Sequence, residues 1–248
     1  NGIEIKIDGS PVSFSYIELT LDILSKIGVD AIYHNKTIVV NPLPLINKCD
    51  INIEGDWSSA SYWYSLIALS PIGSYLELSG LNIDSYQGDR QIVRIMDFFG
   101  VKTTSQQGGV IIKKESIHKK QLQFNFTKCP DIAQTIMACG AALNMDIEFQ
   151  GIDTLRIKET DRIKAMDNEL NKFNCGIEKT GDSYRLIGSF KKTNGVSIET
   201  YHDHRMAMSF APLSQLIPIC IKDCSVVSKS YPNFWNDFSS LGLRVQKI

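Results

Sequence analysis

The chain has 248 residues, of which 26 are lysine or arginine and 27 are aspartate or glutamate, so its formal net charge is -1. This balance argues against a general binder of nucleic acids or of anionic membrane surfaces, because such proteins carry a basic excess. Hydrophobic residues make up 43% and charged residues 21%, which is a globular composition, and no apolar run approaches the roughly 18–20 residues of a membrane span.

The first element is an alternating segment at residues 3–7 that predicts a strand. The chain begins with Asn1 and enters this strand almost at once, so we expect it to be part of a longer polypeptide. Ser13 then suits the N-cap of a first helix that includes Tyr16.

The cysteines are scattered without zinc-site spacing, which predicts buried thiols in a reducing compartment. They are Cys49, Cys129, Cys139, Cys175, Cys220 and Cys224.

One pattern recurs four times along the chain: an apolar helical stripe ends in a glycine, and a β-rich segment follows. The glycine lies where a helix C-terminus needs left-handed backbone. The repeats are roughly 70 residues apart, longer than the about 20–50 residues of solenoids, which favours a larger α/β unit that packs a helix pair on a small sheet. Chance recurrence is the alternative, because helix-glycine-strand is common in α/β proteins. The glycines are Gly28, Gly100, Gly176 and Gly242.

Each unit also predicts a second helix, rich in small or apolar residues, that can be buried on nearly all sides. These helices cover residues 60–69, 133–143 and 206–216. Residues 33–40 and 109–112 predict hairpin strands. Residues 52–56 close one hairpin before a new helix opens, so we expect a domain boundary there. Residues 1–54 would be the end of one domain, and residues 55–248 would form a three-unit domain.

Asp131 follows Pro130, a residue that suits the first position of a helix. At that position a carboxylate complements the helix dipole, which is a sufficient structural role. The alternative is a catalytic base within reach of a substrate hydroxyl.

Residues 156–162 read Arg-Ile-Lys-Glu-Thr-Asp-Arg and carry the most informative charge pattern. Thr160 is predicted as the N-cap, which places Glu159 in the preceding loop and Arg162 in the first turn. Arg156 and Arg162 would then lie at the positive end of a helix, an arrangement that an incoming anion would stabilise. A solvated helix start with surface ion pairs is the alternative. The apolar stripe of this helix is Ile163, Met166, Leu170 and Phe173.

Two further cations lie near the N-termini of predicted helices. Asp203 is predicted as an N-cap, with His204 and Arg205 in the first turn of an apolar helix. A capped helix with a satisfied histidine is the structural alternative, and a His-x-His metal site lacks a third ligand nearby. Lys229 lies just before a helix predicted at residues 234–241, where a solvated lysine is also common. Together with Lys158 and Arg162, these cations predict a pocket for a small, multiply anionic ligand with phosphate or carboxylate groups.

The chain resembles the 5-enolpyruvylshikimate-3-phosphate synthase family from about Ile5 to the C-terminus. The Lys-Glu-Thr-Asp-Arg and Asp-His-Arg-Met-Ala-Met strings, in this order, are highly specific together. The matching segments are residues 12–17, 54–62, 130–131, 156–162, 202–208 and 228–232.

The resemblance implies an α/β fold of repeated βαβαββ units, the inside-out α/β barrel of enolpyruvyl transferases, with one nearly complete domain and part of a second. It implies transfer of the enolpyruvyl group of phosphoenolpyruvate to the 5-hydroxyl of shikimate 3-phosphate, with release of phosphate, in aromatic amino acid biosynthesis. It further implies a cytoplasmic, monomeric glyphosate target that uses no metal or other cofactor and binds neither nucleic acid nor membrane. Because family residues from the other half are missing, we expect these 248 residues alone to be inactive.

The resemblance also assigns residues to shikimate 3-phosphate. Ser13, Tyr16 and Lys158 match its contacts, and Asp131 matches the group that accepts the proton of the 5-hydroxyl. Thr154 is a weaker candidate, because the family often has asparagine at this place.

For phosphoenolpyruvate, the resemblance assigns Glu159 to the acid/base group that handles the proton at the methylene carbon. Arg162, Arg205 and Lys229 match the cations that bind this substrate, and His204 lies beside them.

Two other functions fit parts of the pattern. An enolpyruvyl transferase that acts on a UDP-sugar uses a reactive loop cysteine, and no cysteine here has a matching context. A non-catalytic module that binds phosphorylated metabolites or a partner chain would need the cations but no complete pair of proton handlers.

Overall fold

The structure, a computed structural model, describes residues 1–9, 14–42 and 50–246. Within these ranges the strands are β1 (Ile3–Lys6), β2 (Ala31–His34), β3 (Thr37–Val40), β4 (Tyr75–Ser79), β5 (Val101–Gln106), β6 (Gly109–Lys114), β7 (Gln121–Asn125), β8 (Asp146–Gln150), β9 (Cys175–Thr180), β10 (Ser183–Gly188), β11 (Val196–Ile198) and β12 (Ile219–Ile221). The α-helices are α1 (Phe14–Lys26), α2 (Trp57–Leu69), α3 (Ile92–Met96), α4 (Ala133–Ala142), α5 (Arg162–Asn171), α6 (His204–Phe210) and α7 (Phe234–Ser240). No helix in the described ranges is long and apolar enough to cross a membrane.

Residues 121–188 form one complete βαβαββ unit. Its strands and helices follow the order β7, α4, β8, α5, β9, β10, and its sheet has the order β7-β8-β10-β9. Strands β7 and β8 are parallel, and the remaining pairs are antiparallel. The sheets β4-β6-β5 and β1-β3-β2 repeat the order of the last three strands, and β11 and β12 repeat the parallel pair. The predicted repeat and the predicted hairpins are therefore confirmed.

The helices rich in small and apolar residues, which are α2, α4 and α6, lie in the interior. All residues of α4 are buried, whereas strands such as β4 alternate between exposed and half-buried side chains. Thr135 of α4 contacts Ser61 of α2 at 3.0 Å and Ser209 of α6 at 3.5 Å, at positions 74 residues apart in each case. Helices inside and sheets outside make the inside-out α/β arrangement that the family resemblance implies. This packing brings the N-terminal ends of α4, α5 and α6 together.

The predicted glycine caps are confirmed at three of four units. Gly28, Gly100 and Gly242 adopt positive φ angles of 84°, 76° and 83°. The prediction for Gly176 is wrong, because this residue lies inside β9, opposite Ile187. Asn174 takes the left-handed conformation instead, with a φ of 62°, because its short polar side chain tolerates that region. The turn therefore comes earlier in this unit.

The prediction of Thr160 as N-cap is also wrong. Asp161 caps α5, and its carboxylate accepts a hydrogen bond from the backbone N–H of Lys164 at 3.1 Å. The two residue types are both good caps, so the pattern alone does not separate neighbouring positions. The apolar stripe is confirmed, since its four members are buried: Ile163, Met166, Leu170 and Phe173.

Candidate active site

Several predicted site residues lie at the N-terminal ends of helices or just before them. Asp131 lies in a short 3-10 helix, Pro130–Ile132, that leads directly into α4, with the proline at its first turn as predicted. Arg162 is the first residue of α5. Asp203 is the N-cap of α6, where its carboxylate accepts from the N–H of Arg205 at 2.9 Å, so this predicted cap is confirmed.

Arg162 is the centre of the cluster and is only 1% exposed. Its Nη1 lies 3.0 Å from Oδ1 of Asp131, and its Nη2 donates to Oε2 of Glu159 at 2.6 Å. Its Nε donates to Oδ2 of Asp203 at 2.7 Å. One buried guanidinium therefore joins three carboxylates from three separate segments.

The other three predicted cations surround this centre. Lys158 Nζ lies 3.3 Å from Oδ1 of Asp131, and Arg205 Nη2 lies 3.6 Å from Oδ2 of the same residue. Lys229 donates to Oε1 of Glu159 at 2.8 Å, although its side chain is 58% exposed. The predicted convergence of cations on the acidic pair is present. The chain's own carboxylates compensate these cations, a contribution that the sequence pattern had assigned to an incoming anion.

Tyr16 brings α1 to the same place. Its hydroxyl donates to Oδ2 of Asp131 at 3.2 Å. Burial of the hydroxyl, together with the negative charge of Asp131, raises the pKa of Tyr16 to about 12, so it acts as a hydrogen-bond donor at neutral pH. Ser13, the other α1 candidate, lies outside the described residues.

The described residues show no hydrogen bond from two further candidates to the cluster. His204 is 6% exposed, and its Nδ1 lies 3.7 Å from Oδ1 of Asp203 and has no hydrogen-bond partner among the described residues. Thr154 lies in the 3-10 helix Asp153–Ile157, and its buried Oγ1 likewise has no partner there.

Opposing effects set the pKa values of the two candidate proton handlers. Burial by itself raises the pKa of Asp131, but the charges of Arg205 and Lys158 outweigh burial and hold it below its ordinary value. Burial also acts to raise the pKa of Glu159, but the hydrogen bond from Lys229 and the charge of Arg162 lower it to about 2. Both carboxyl groups are therefore ionised at neutral pH in this arrangement.

We expect Lys229→Met to raise the pKa of Glu159 from about 2 toward its ordinary value of 4.5, because the substitution removes a hydrogen bond and a positive charge from the carboxylate. NMR titration of the Glu159 side-chain carbonyl carbon measures this shift. Lys222→Met is the matched control, since Lys222 pairs with Glu199 in the same exposed manner. An unchanged titration of Glu159 in the Lys229 variant would contradict the assignment of cause.

Sequence reasoning missed two parts of the cluster. Asp203 was predicted only as a cap, yet it is fully buried and is also the partner of Arg162. The Oγ of Ser58 donates to Asp89 and lies 3.5 Å from Nη2 of Arg205. Burial raises the pKa of Asp89 to about 6. The segment around Asp89 matches the repeat position of residues 158–162, and that match was the signal that could have identified it.

The turn before α6 has unusual backbone geometry. Tyr201 and His202 both have positive φ angles, 54° and 57°. Residues other than glycine in this region cost of order 1–3 kcal/mol each, and they persist only when surrounding contacts hold them. Asp203 follows directly, so the turn determines where its carboxylate lies.

Comparison with known proteins relates this chain to one family. Residues 1–238 match the family model for EPSP synthase (3-phosphoshikimate 1-carboxyvinyltransferase). A 3-phosphoshikimate 1-carboxyvinyltransferase of Bacteroides fragilis strain YCH46 is 38% identical over 250 residues, which cover 99% of this chain and 60% of the relative. The enzyme of the same name from Clostridium beijerinckii is 33% identical over 93% of this chain and 53% of its own length. The chain thus spans between about half and 60% of these relatives.

Solved structures show the same fold. The EPSP synthase of Acinetobacter baumannii superimposes with a TM-score of 0.81 at 22% identity, over 99% of this chain and 57% of that one. The enolpyruvyl transferase NikO from Streptomyces tendae has a TM-score of 0.65 at 12% identity, over 99% of this chain and 56% of that one. Because the family model matches residues 1–238 of this chain, the chain belongs to the EPSP synthase family.

Proposed function

We propose that the protein containing this chain transfers the enolpyruvyl group of phosphoenolpyruvate to the 5-hydroxyl of shikimate 3-phosphate and releases phosphate, in aromatic amino acid biosynthesis. One observation carries the proposal: Arg162 lies between Asp131 and Glu159, with Lys158, Arg205 and Lys229 around them. This arrangement supplies two proton handlers and dense positive charge in one place. The names of the relatives support the same reaction.

The cations would bind the two anionic substrates. Arg205 and Lys229 would receive the phosphate and carboxylate of phosphoenolpyruvate, and the proposal is supported by their positions, since each lies beside one member of the acidic pair. Tyr16 and Lys158 both contact Asp131, so shikimate 3-phosphate bound to them would have its hydroxyl beside that carboxylate.

Asp131 would then accept the proton of the 5-hydroxyl as this oxygen bonds to the central carbon of phosphoenolpyruvate. Its lowered pKa keeps it ionised at neutral pH and therefore able to accept. Glu159 would deliver a proton to the methylene carbon, which makes the neighbouring carbon electrophilic. Return of that proton to Glu159 restores the double bond as the carbon–oxygen bond to phosphate breaks.

Glu159 must be protonated to act as the acid, and its pKa of about 2 opposes this. Burial raises the pKa of Glu159, and the hydrogen bond from Lys229 is a main reason that the pKa is nevertheless low. The phosphate group of phosphoenolpyruvate would compete with Glu159 for Lys229. Such competition would raise the pKa of Glu159 as substrate binds, so that the acid forms where it is needed.

No particular observation favours the binding module or the transferase that acts on a UDP-sugar. A non-catalytic binding module would not need Asp131 and Glu159 on one buried arginine, and the curated relatives carry the shikimate name rather than a UDP-sugar name.

We further propose a cytoplasmic monomer. The five cysteines described are free, which fits a reducing compartment.

The test uses the product of the complete reading frame that contains these residues, hereafter the complete polypeptide. Phosphate release should require both phosphoenolpyruvate and shikimate 3-phosphate, and mass spectrometry should identify the enolpyruvyl ether. A UDP-sugar should not replace shikimate 3-phosphate. Binding of both substrates without phosphate release would favour the binding module.

A further inference from the structure

A second cluster, termed the staple, lies two helical turns along α5 from Arg162. Its centre is Glu169, which is 1% exposed although it is a carboxylate. Oε1 of Glu169 accepts from the hydroxyl of Tyr201 at 2.8 Å, and Oε2 accepts from the backbone N–H of Glu199 at 3.1 Å. Lys172 donates to the same Oε2 at 2.6 Å. The staple is thus Glu169, Lys172, Glu199 and Tyr201.

The staple joins the C-terminal end of α5 to the segment that connects β11 to α6. Besides Glu169, Lys172 also donates to the backbone carbonyl of Ser197 at 2.7 Å. The backbone N–H of Asp203 donates to the carbonyl of Thr200 at 2.8 Å, which closes the turn just before α6. Thr200 is itself 2% exposed, so the segment is held against the protein.

This segment depends on outside contacts for its shape. It contains no glycine, yet Tyr201 and His202 both adopt left-handed backbone. The side chain of His202 is 95% exposed, and its Nδ1 lies 3.3 Å from Oδ2 of Asp223, which is also exposed, so solvent screens this contact and it offers little restraint. The staple therefore supplies the restraint, through the Tyr201 hydroxyl and the Glu199 amide.

Helix α5 holds the segment at two points. Arg162 and Glu169 are seven residues apart, so they lie on one face of α5 about 10 Å from each other along its axis. Arg162 binds Asp203, and Glu169 binds Tyr201 two residues earlier. A rigid helix with two attachment points sets both the position and the direction of the chain that enters α6.

We propose that Glu169 and Tyr201 are positioning residues for the anion pocket, which they serve by holding the left-handed turn that places Asp203 and Arg205. Among the described residues, no hydrogen bond or ion pair joins either of them to the side chains around Arg162. Without the staple the turn relaxes, Asp203 moves away from the Nε of Arg162, and Arg205 loses its alignment. This role rests on the proposed function only in that the pocket's ligand is taken to be phosphoenolpyruvate.

The experiment compares Tyr201→Phe with Tyr64→Phe in the complete polypeptide. Tyr64 is fully buried, and its hydroxyl contacts Oγ1 of Thr103 at 2.7 Å, so both variants lose a short tyrosine hydrogen bond. Tyr201→Phe also loses a long contact of 3.5 Å from Nδ2 of Asn168. We expect Tyr201→Phe to raise the KM for phosphoenolpyruvate about ten-fold and the KM for shikimate 3-phosphate less than about two-fold. Tyr64→Phe should change neither KM. Glu169→Gln, which keeps the side-chain shape, should act in the same direction as Tyr201→Phe.

A second readout does not depend on catalysis. The Nε–H of Arg162 is buried and bonded to Asp203, so its NMR signal should exchange slowly with water in the unaltered protein and faster in Tyr201→Phe. Faster exchange supports the positioning role of the staple even if the complete polypeptide releases no phosphate. The absence of phosphate release would count against the proposed function alone. Equal exchange in both tyrosine variants would overturn the inference, as would parallel changes in the two KM values.

Discussion

Glu159→Gln should lower kcat of the complete polypeptide by about 10²–10⁴-fold while the KM for each substrate changes less than about three-fold. Glutamine keeps the shape of the side chain, although its one carbonyl oxygen can accept from only one of Lys229 and Arg162. Asp131 and Asp203 still hold Arg162, so the anion pocket should stay assembled. It cannot donate and recover the proton at the methylene carbon. The loss should therefore fall on the chemical step.

Steady-state kinetics with each substrate varied in turn measures this effect. Glu178→Gln is the control, because Glu178 is an exposed carboxylate on β9. Equal losses in kcat and in affinity would instead assign Glu159 a binding role. A kcat within about ten-fold of the unaltered enzyme would remove it from proton transfer.

Arg162→Met should destabilise the interior around α4, α5 and α6 by about 3–5 kcal/mol. The guanidinium is almost completely buried and is shared by three carboxylates, of which Asp203 is fully buried. Its removal leaves negative charge in a site from which water is excluded. Methionine fills much of the volume, so the loss reports charge more than packing.

Native-state hydrogen exchange of the amides of these helices measures the local stability. Arg185→Met is the matched control, because Arg185 makes contacts of 2.7 and 2.5 Å with Asp146 but its side chain is 53% exposed. Solvent screens that pair, so we expect no measurable change. A loss no larger than in the Arg185 variant would contradict the central role of Arg162.

The destabilisation should also depend on pH. In the unaltered protein, Asp131 has a lowered pKa, so its pairing stabilises the fold above the unfolded pKa and is lost as pH falls through the folded value. Without Arg162 its pKa rises, and the carboxyl group can take up a proton as pH falls. The difference between variant and unaltered protein should therefore be smaller near about pH 4.5 than at pH 7.

Local patterns were sufficient for the elements that depend on near neighbours. The stripe from Ile163 to Phe173, the cap at Asp203 and the proline before Asp131 all involve residues a few positions apart, and each is present in the structure. The errors were of the same local kind. Thr160 and Asp161 are both good caps, and Asn174 can replace a glycine, so the pattern located the helix ends to within one or two residues.

The amino-acid sequence alone therefore determined the repeated α/β units, the family and the set of cations near helix N-termini. Only the folded chain decided which carboxylate meets which cation: Arg162 reaches Asp131 across 31 positions and Asp203 across 41, and Lys229 reaches Glu159 across 70. Contacts at such separations depend on how α4, α5 and α6 pack, and no short pattern encodes that packing. For the same reason, the contact between Glu169 and Tyr201 became visible only in three dimensions.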